Sequence, residues 1–417
     1  MSSYSASGPG LKERAPADAA RPQSAEKITV MIVVPSLDGG AADAGAVSLT
    51  RILAAGGNRA IVVSRLGRLV ADVTGAGGEF IPLDVSSHNP FVVLRNMVRL
   101  RRIAREQRCD IINAHGRAAA WSAFLAAKLA GVPFVTTWYK GFREQNLLKR
   151  LYNRIMVRGD RVIAVSEQLA QLVNDRYGTP WPQIAVVPAS VDLDRFDPER
   201  VSRERVEAVR SAWGVRPETK VILVVGRILR RKGHDVVVRA ARRLKENGFK
   251  DFLCVFVGED RGRTRYTGEL WDLALSNGTV DVIRMAAPVT DMPAAYAAAD
   301  VVVSAAVQPE GQQRAILEAQ AMMKPVIVSD MGAGTDVVLT PPAVPEGRVT
   351  GLRFHAGSDA ALAGALVRFY AMPEPNRRAI GTRGRAWVLD HFDAGSIADQ
   401  TLKLYGEIAR LKSASAT

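Results

Sequence analysis

The amino-acid sequence predicts an α/β protein of two doubly wound domains that face a central cleft and end in C-terminal helices. Three observations carry this expectation. Short runs rich in Val and Ile alternate with helical patterns along most of the chain. The alternation stops at the polar stretch 192–200 and then starts again. The length, 417 residues, suits two domains better than one.

Each element follows in order. Residues 1–26 are rich in Ser, Ala, Pro and charge and read as a disordered tail. The run ITVMIVVP at 28–35 reads as a strand, and it ends at the turn signal Ser36-Leu37-Asp38-Gly39-Gly40. A helix over 42–55 and a strand over 59–64 complete a βαβ unit, which implies a parallel sheet. Strands at 78–83, 110–114, 133–138, 161–165 and 184–188 alternate with helices at 91–107, 117–130, 146–158 and 167–176. The first domain is therefore expected over 27–195 and the second over 196–385. In the second, strands at 220–225, 252–257, 281–285, 300–304 and 325–329 alternate with helices at 233–247, 265–277, 291–298 and 312–323. Residues 358–412 read as helices, and 386–417 are expected to pack back on the first domain.

Composition removes several classes. Apolar residues are 47% and charged residues 24%, close to ordinary globular usage, so the body of the chain is expected to build cores. No apolar run approaches the ~18 residues of a membrane span. No apolar segment of signal-peptide type precedes the first strand, so a cytoplasmic protein is expected. Cys109 and Cys254 sit in or beside apolar runs and read as buried thiols. No Cys/His spacing suits a metal, and none is expected. Net charge is +14, and +10 of it lies in 91–160, with fourteen Lys/Arg against four Asp/Glu. That excess reads either as a site for an anionic partner or as a solvated helix face. Nucleic acid is not the expected partner, because helix-turn-helix, RNP and zinc patterns are missing and aromatics are only 6%.

Ligands of doubly wound sheets bind beyond the carboxyl ends of the strands, so the loops there hold the candidate residues. Gly39 and Gly40 follow the first strand and open a helix, where backbone N–H groups can meet an anion; a plain tight turn is the alternative. The spacing is not G-x-G-x-x-G, which disfavours a dinucleotide dehydrogenase. The loop Gly226-Arg227-Ile228-Leu229-Arg230-Arg231-Lys232-Gly233 also runs from a strand into a helix, and brings Arg227 and Lys232 to a place that suits a diphosphate. Glu310 and Glu318 lie about two turns apart, at the start of and within an apolar helix. Buried carboxylates need partners, either ligand hydroxyls or an internal salt bridge.

Taken together, these loops resemble the retaining glycosyltransferases of family 4, which adopt the GT-B fold. The resemblance rests on Glu310-x7-Glu318, Gly226-Arg227 with Lys232-Gly233, Gly39-Gly40 and Val191-Asp192, and on WSAFLAAKLAGVPFVTTW and LYNRIMVRGDRVIAVS, which look like bacterial enzymes of lipopolysaccharide and cell-surface glycan synthesis. It implies a nucleotide-diphosphate sugar as donor substrate, a glycan or lipid-linked acceptor, and neither metal nor other cofactor. Arg227 and Lys232 would hold the diphosphate, with Gly226 beside them. Glu318 would bind ribose hydroxyls, and Glu310 the donor sugar. Gly311, Gln312 and Gln313 would approach sugar and phosphate, with Gly40 and Gly39 on the facing loop. The sequence departs from the family twice. Gln312-Gln313 stand where Phe-Gly is usual, and Tyr139 stands beside Lys140 where a His is frequent, so His115 is a candidate substitute on the acceptor side. A weakened paralogue that binds nucleotide-sugar and an epimerase of the same build therefore stay open.

Two basic segments add a membrane expectation. Helix 91–107 carries Arg95, Arg99, Arg101, Arg102 and Arg105 opposite Val93, Met97, Leu100 and Ile103; 143–158 is similarly basic. The apolar sides read as core and the basic sides as facing anionic lipid, so reversible attachment to the inner face of the membrane is expected.

Overall fold

The computed structural model describes residues 27–139, 141, 147–260, 262, 264–287, 289–308, 314–331 and 334–414. Two parallel sheets organise them. The first joins β1 (Thr29–Val33), β2 (Arg59–Ser64), β3 (Glu79–Pro82), β4 (Ile111–Ala114), β5 (Phe134–Trp138), β6 (Arg161–Ala164) and β7 (Ile184–Val186) in the order β3-β2-β1-β4-β5-β6-β7. The second joins β8 (Lys220–Val225), β9 (Phe252–Val257), β10 (Ile283–Ala286), β11 (Val301–Ser304), β12 (Val326–Ser329) and β13 (Leu352–Phe354) in the order β10-β9-β8-β11-β12-β13. In each sheet the order reverses beside the first strand, at β1/β4 and at β8/β11, and there the two flanking loops part to leave a crevice.

The strands are apolar along their length because both faces are covered. Met31 and Val33 enter one core layer while Val30 and Ile32 enter the other, as a period of two requires. The second sheet divides likewise, with Ile222 and Val224 on one side and Val221 and Leu223 on the other. Cys109 and Cys254 are free and buried, and burial pushes the Cys254 thiol up to about 12.

The chain crosses back between the domains near its end. Helix Glu374–His391 belongs wholly to the second domain, where Val388 is buried, so the crossing falls at Phe392–Asp393 and not at 386. There the Val191 N–H donates to the Phe392 carbonyl at 3.1 Å. Arg385 pairs with Asp197 at 3.2 Å. Helix Ala394–Ala414 then lies on the first domain, with Tyr405 and Ile408 buried among Val30, Ile32, Leu49 and Leu53.

Some elements leave no clear periodic trace. Helix Arg203–Ala212 buries no residue fully and packs on the core only through the partly buried Val206 and Val209; Ser202 caps it by accepting from the Arg205 N–H. Strand β13 is three residues long.

Candidate functional site

The loop after β8 is shaped by three close approaches. Gly226 has φ 145°, in the region that favours glycine, and its N–H donates to the Val257 carbonyl at 2.9 Å. A Cβ at Gly258 would meet the Gly226 carbonyl oxygen at 2.0 Å, and one at Gly233 would meet the Ala305 carbonyl oxygen at 1.9 Å. Between these points a 3-10 turn, Arg230–Lys232, reverses the chain into helix His234–Glu246. The turn lays the Lys232 side chain over Gly226, with Cε 3.4 Å from where a Cβ would stand. Lys232 and Arg227 are half-buried at the β8/β11 crevice, and Gly233 caps the helix without a side chain. Arg230 is not part of this cluster: it stacks on Tyr266 at 4.9 Å and pairs with Glu269.

Glu318 sits on helix Arg314–Ala321 beside the same crevice, with 15% of its side chain exposed. The Tyr296 hydroxyl donates to its Oε2 at 2.8 Å, while Oε1 faces Arg314 at 3.8 Å. Burial raises the carboxyl pKa above the ordinary glutamate value, and Arg314 and the Tyr296 hydroxyl oppose that rise. One oxygen is thus fixed and the other has only a loose partner. Sequence reasoning missed Tyr296; its one trace is an aromatic ring within the small-residue run 294–299. Glu310, Gly311, Gln312, Gln313 and Lys140 lie outside the described residues.

The first-domain loop differs from expectation. The N–H groups of Gly39 and Gly40 donate to Asp43 Oδ2 at 2.9 and 2.8 Å, and Ser36 Oγ reaches the same oxygen at 3.2 Å. An internal carboxylate, buried on the first turn of helix Ala41–Ala55, occupies the position anticipated for an external anion. Gly39 does need its freedom, at φ 100°.

His115 is not offered to the cleft either, and Tyr139 is only partly exposed. His115 is fully buried, and its Nε2 accepts from the Asn113 amide at 3.2 Å. That leaves the ring proton on Nδ1, which lies 3.3 Å from the Ala42 carbonyl oxygen and 3.1 Å from the Tyr139 hydroxyl. Burial lowers the His115 pKa to about 4, so the ring is neutral. Tyr139 packs under Gly45, where a Cβ would lie 2.3 Å from its ring, and Asn113 donates to the Tyr405 hydroxyl at 2.5 Å. These groups support the glycine loop from beneath, because the space above His115 is filled by the first turn of helix Ala41–Ala55.

The two domains meet across the cleft through a helix start. Asp336 accepts from the Gln168 N–H at 3.2 Å, at the head of helix Glu167–Tyr177. Burial first, and Glu167 nearby, push the Asp336 pKa up to about 6. Among the described residues no three His, Cys, Asp or Glu side chains gather as metal ligands would.

Comparisons with known proteins bear on what this arrangement does. A family model described as Glycosyltransferase Family 4 matches residues 25–195, and one described as Glycosyl transferases group 1 matches 206–387. The chain is similar to a D-inositol 3-phosphate glycosyltransferase of Actinosynnema mirum, 31% identical over 67% of this chain and 69% of that protein. A protein of the same name from Nocardiopsis dassonvillei is 30% identical over 60% of this chain, and the match spans 60% of that relative's length. A solved glycosyltransferase of Rickettsia africae has a TM-score of 0.82 at 28% identity, covering 92% of this chain and 98% of its own. Anabaena HepE, solved in complex with UDP-glucose, shares the fold with a TM-score of 0.76 at 20% identity, over 91% of this chain and 100% of that one.

Proposed function

This chain belongs to the family 4 glycosyltransferases, and we propose that it transfers a sugar, with retention of configuration, from a nucleotide-diphosphate sugar to a glycan or lipid-linked acceptor of the cell envelope. The observation that carries the reading is Glu318, beside the crevice that also holds Arg227 and Lys232, with one oxygen anchored by Tyr296 and the other held only loosely by Arg314 at 3.8 Å. In this reading Glu318 Oε1 accepts from a ribose hydroxyl. Negative charge grows on the leaving diphosphate as the anomeric bond breaks, and Arg227 and Lys232 stabilise it. Fixed cations of that kind contribute roughly 3–4 kcal/mol in a closed cleft. Glu310 and the Gly311-Gln312-Gln313 backbone would face the donor sugar. No metal or other cofactor takes part. The complex of HepE with UDP-glucose supports a donor of the uridine class.

A second acceptor reading has its own support. The relatives named D-inositol 3-phosphate glycosyltransferase favour a phosphorylated polyol, and the basic first domain is compatible with it. In either case the reaction takes place in the cytoplasm, at the inner membrane face when the acceptor is lipid-linked.

The test is titration with UDP, GDP, ADP and their sugars, for the natural chain and for Glu318→Ala and Arg227→Ala. One nucleotide class is expected to bind, with affinity reduced tenfold or more in both variants. Failure of every nucleotide to bind would falsify the donor site. Binding without transfer to any glycan or phosphorylated polyol would identify a weakened paralogue, and donor isomerisation without acceptor an epimerase.

A further inference from the structure

The chain passes between the domains twice, and the two passages touch where Val191 pairs with Phe392 and Asp393. Directly after Val191 the chain makes a tight turn. The Arg195 N–H donates to Asp192 Oδ1 at 3.0 Å, and the Phe196 N–H donates to the Asp192 carbonyl at 2.9 Å. An aspartate that accepts from nearby backbone in this way stabilises a turn. The turn delivers Phe196 into the core of the second domain, where it is buried. Its ring meets Tyr296 edge to face, with centroids 6.0 Å apart and planes at 66°, an arrangement that aromatic quadrupoles favour. Tyr296 is fully buried on the short helix Met292–Ala297, and its hydroxyl is the group that holds Glu318 Oε2. Arg195 lies over the other partner of this pair, 5.3 Å from the Phe196 ring. Burial raises the Glu318 carboxyl pKa, and Arg314, the Tyr296 hydroxyl and Arg195 oppose that rise in turn.

A second tie runs from the same turn to the helix that carries Glu318. Arg385, on helix Glu374–His391, donates to the Ala321 carbonyl at 2.5 Å, at the carboxyl end of helix Arg314–Ala321. It also donates to the Phe196 carbonyl at 3.4 Å and pairs with Asp197 at 3.2 Å. The last carbonyls of a helix lack partners within it, so a guanidinium there is favoured by hydrogen bonding and by the helix dipole. The two helices are in backbone contact beside this bond. A Cβ at Gly381 would meet the Met323 carbonyl oxygen at 2.0 Å, and one at Gly384 would meet the Gln320 side chain at 3.2 Å. Glu318 is thus held from the turn in two ways, its carboxylate through Phe196 and Tyr296 and its helix through Arg385.

We propose that Phe196 and Arg385 are positioning residues for the donor: from the place where the chain changes domain, they hold Glu318 where it selects ribose hydroxyls. Phe196 acts through the Tyr296 ring, and Arg385 acts through the backbone of the Glu318 helix. The inference rests on the donor reading above, in which Glu318 accepts from a ribose hydroxyl. It makes the preference for ribose a property of the interdomain turn as well as of the crevice. Packing alone would act differently, since a loosened core weakens every ligand of the site alike.

The experiment measures the affinity of the full chain for UDP, GDP and ADP beside their 2′,3′-dideoxy forms, which lack the hydroxyls in question. The natural chain is expected to bind one ribonucleotide about tenfold better than its dideoxy form, because the analogue leaves a buried carboxylate oxygen unmatched. In Phe196→Leu and in Arg385→Gln the preference is expected to fall to about threefold or less, with affinity for the dideoxy form unchanged. Arg385→Lys, which keeps the cation, is expected to recover part of the preference. Adding Phe196→Leu to Glu318→Ala is expected to bring no further loss, since both remove one interaction. Thermal melting checks that each variant folds; should Phe196→Leu not fold, Arg385→Gln decides the question. An unchanged preference in the folded variants, an equal loss for both nucleotide forms, or full additivity with Glu318→Ala overturns the positioning role and leaves the donor site standing. A natural chain that binds no nucleotide, or binds both forms equally, overturns the ribose reading of Glu318 and the positioning role with it.

Discussion

At the scale of single residues, Tyr296 and Lys232 divide the work of the crevice in ways that kinetics can separate. Tyr296 fixes the ground-state position of Glu318. Tyr296→Phe leaves a buried carboxylate oxygen without its donor, a loss of about 1–3 kcal/mol. Nucleotide affinity is expected to fall about tenfold in the Phe variant, with turnover at saturating donor little changed. Lys232 lies over Gly226, where leaving-group charge would develop. Lys232→Ala is expected to lower turnover by about a hundredfold with a smaller change in donor KM. The opposite pattern, turnover lost in Tyr296→Phe and held in Lys232→Ala, would reverse these roles. The paired roles were only half legible. Gly226, Arg227 and Lys232 stand in a strand-to-helix loop that spacing makes visible. Tyr296 reaches Glu318 from a separate helix, and no local pattern links positions 22 residues apart.

At the scale of elements, the polar group under the glycine loop makes a pH prediction. His115 and His234 are both buried, and both have pKa values lowered by burial to about 4. An unfolded chain takes up a proton on each near pH 6.5, while the folded chain refuses it until about pH 4. The stability from each neutral ring is therefore present above pH 6.5 and lost as pH falls through that window. Each contributes up to about 3 kcal/mol by that difference. Melting followed from pH 7 to pH 4.5 should fall steeply, and less steeply in His115→Gln. Parallel slopes would mean that His115 ionises alike in both states. The sequence placed His115 at a strand end, yet its burial depends on Ala42, Tyr139 and Asn113, which converge only when β1, β4 and β5 pair. For the same reason Gly39 and Gly40 looked free to hold an anion: Asp43 lies within the next turn, and only the capping geometry shows its carboxylate turned back on them.

At the scale of the whole molecule, Asp336 joins the domains by accepting at the start of a helix in the other one. Its pKa is raised to about 6, so the protonated form is favoured in the folded state. The favourable contribution is full below the unfolded value near 3.8 and is lost as pH rises through 6. Above that, the buried charge costs up to about 3 kcal/mol. Asp336→Asn keeps an acceptor for Gln168 and removes the charge. It is expected to melt higher than the natural chain at pH 8, with the gap closing toward pH 4; a variant less stable at pH 8 would show that the charge itself holds the domains together. The two-domain architecture was legible because uninterrupted Val/Ile strands recur with glycine turns. The contacts across the cleft were not, since they join residues 168 positions apart.

Helix Ala394–Ala414 has a consequence in time as well as in space. It covers Val30, Ile32, Leu49 and Leu53 of the first domain, yet it is synthesised after the entire second domain. The first domain must therefore wait on the ribosome with that face uncovered, and the domain begun first is finished last. A fragment of residues 27–195 should bind an apolar dye and sediment as aggregates, and a peptide of 394–414 added in trans should reverse both. Unchanged dye binding with the peptide present would show that the face closes without it.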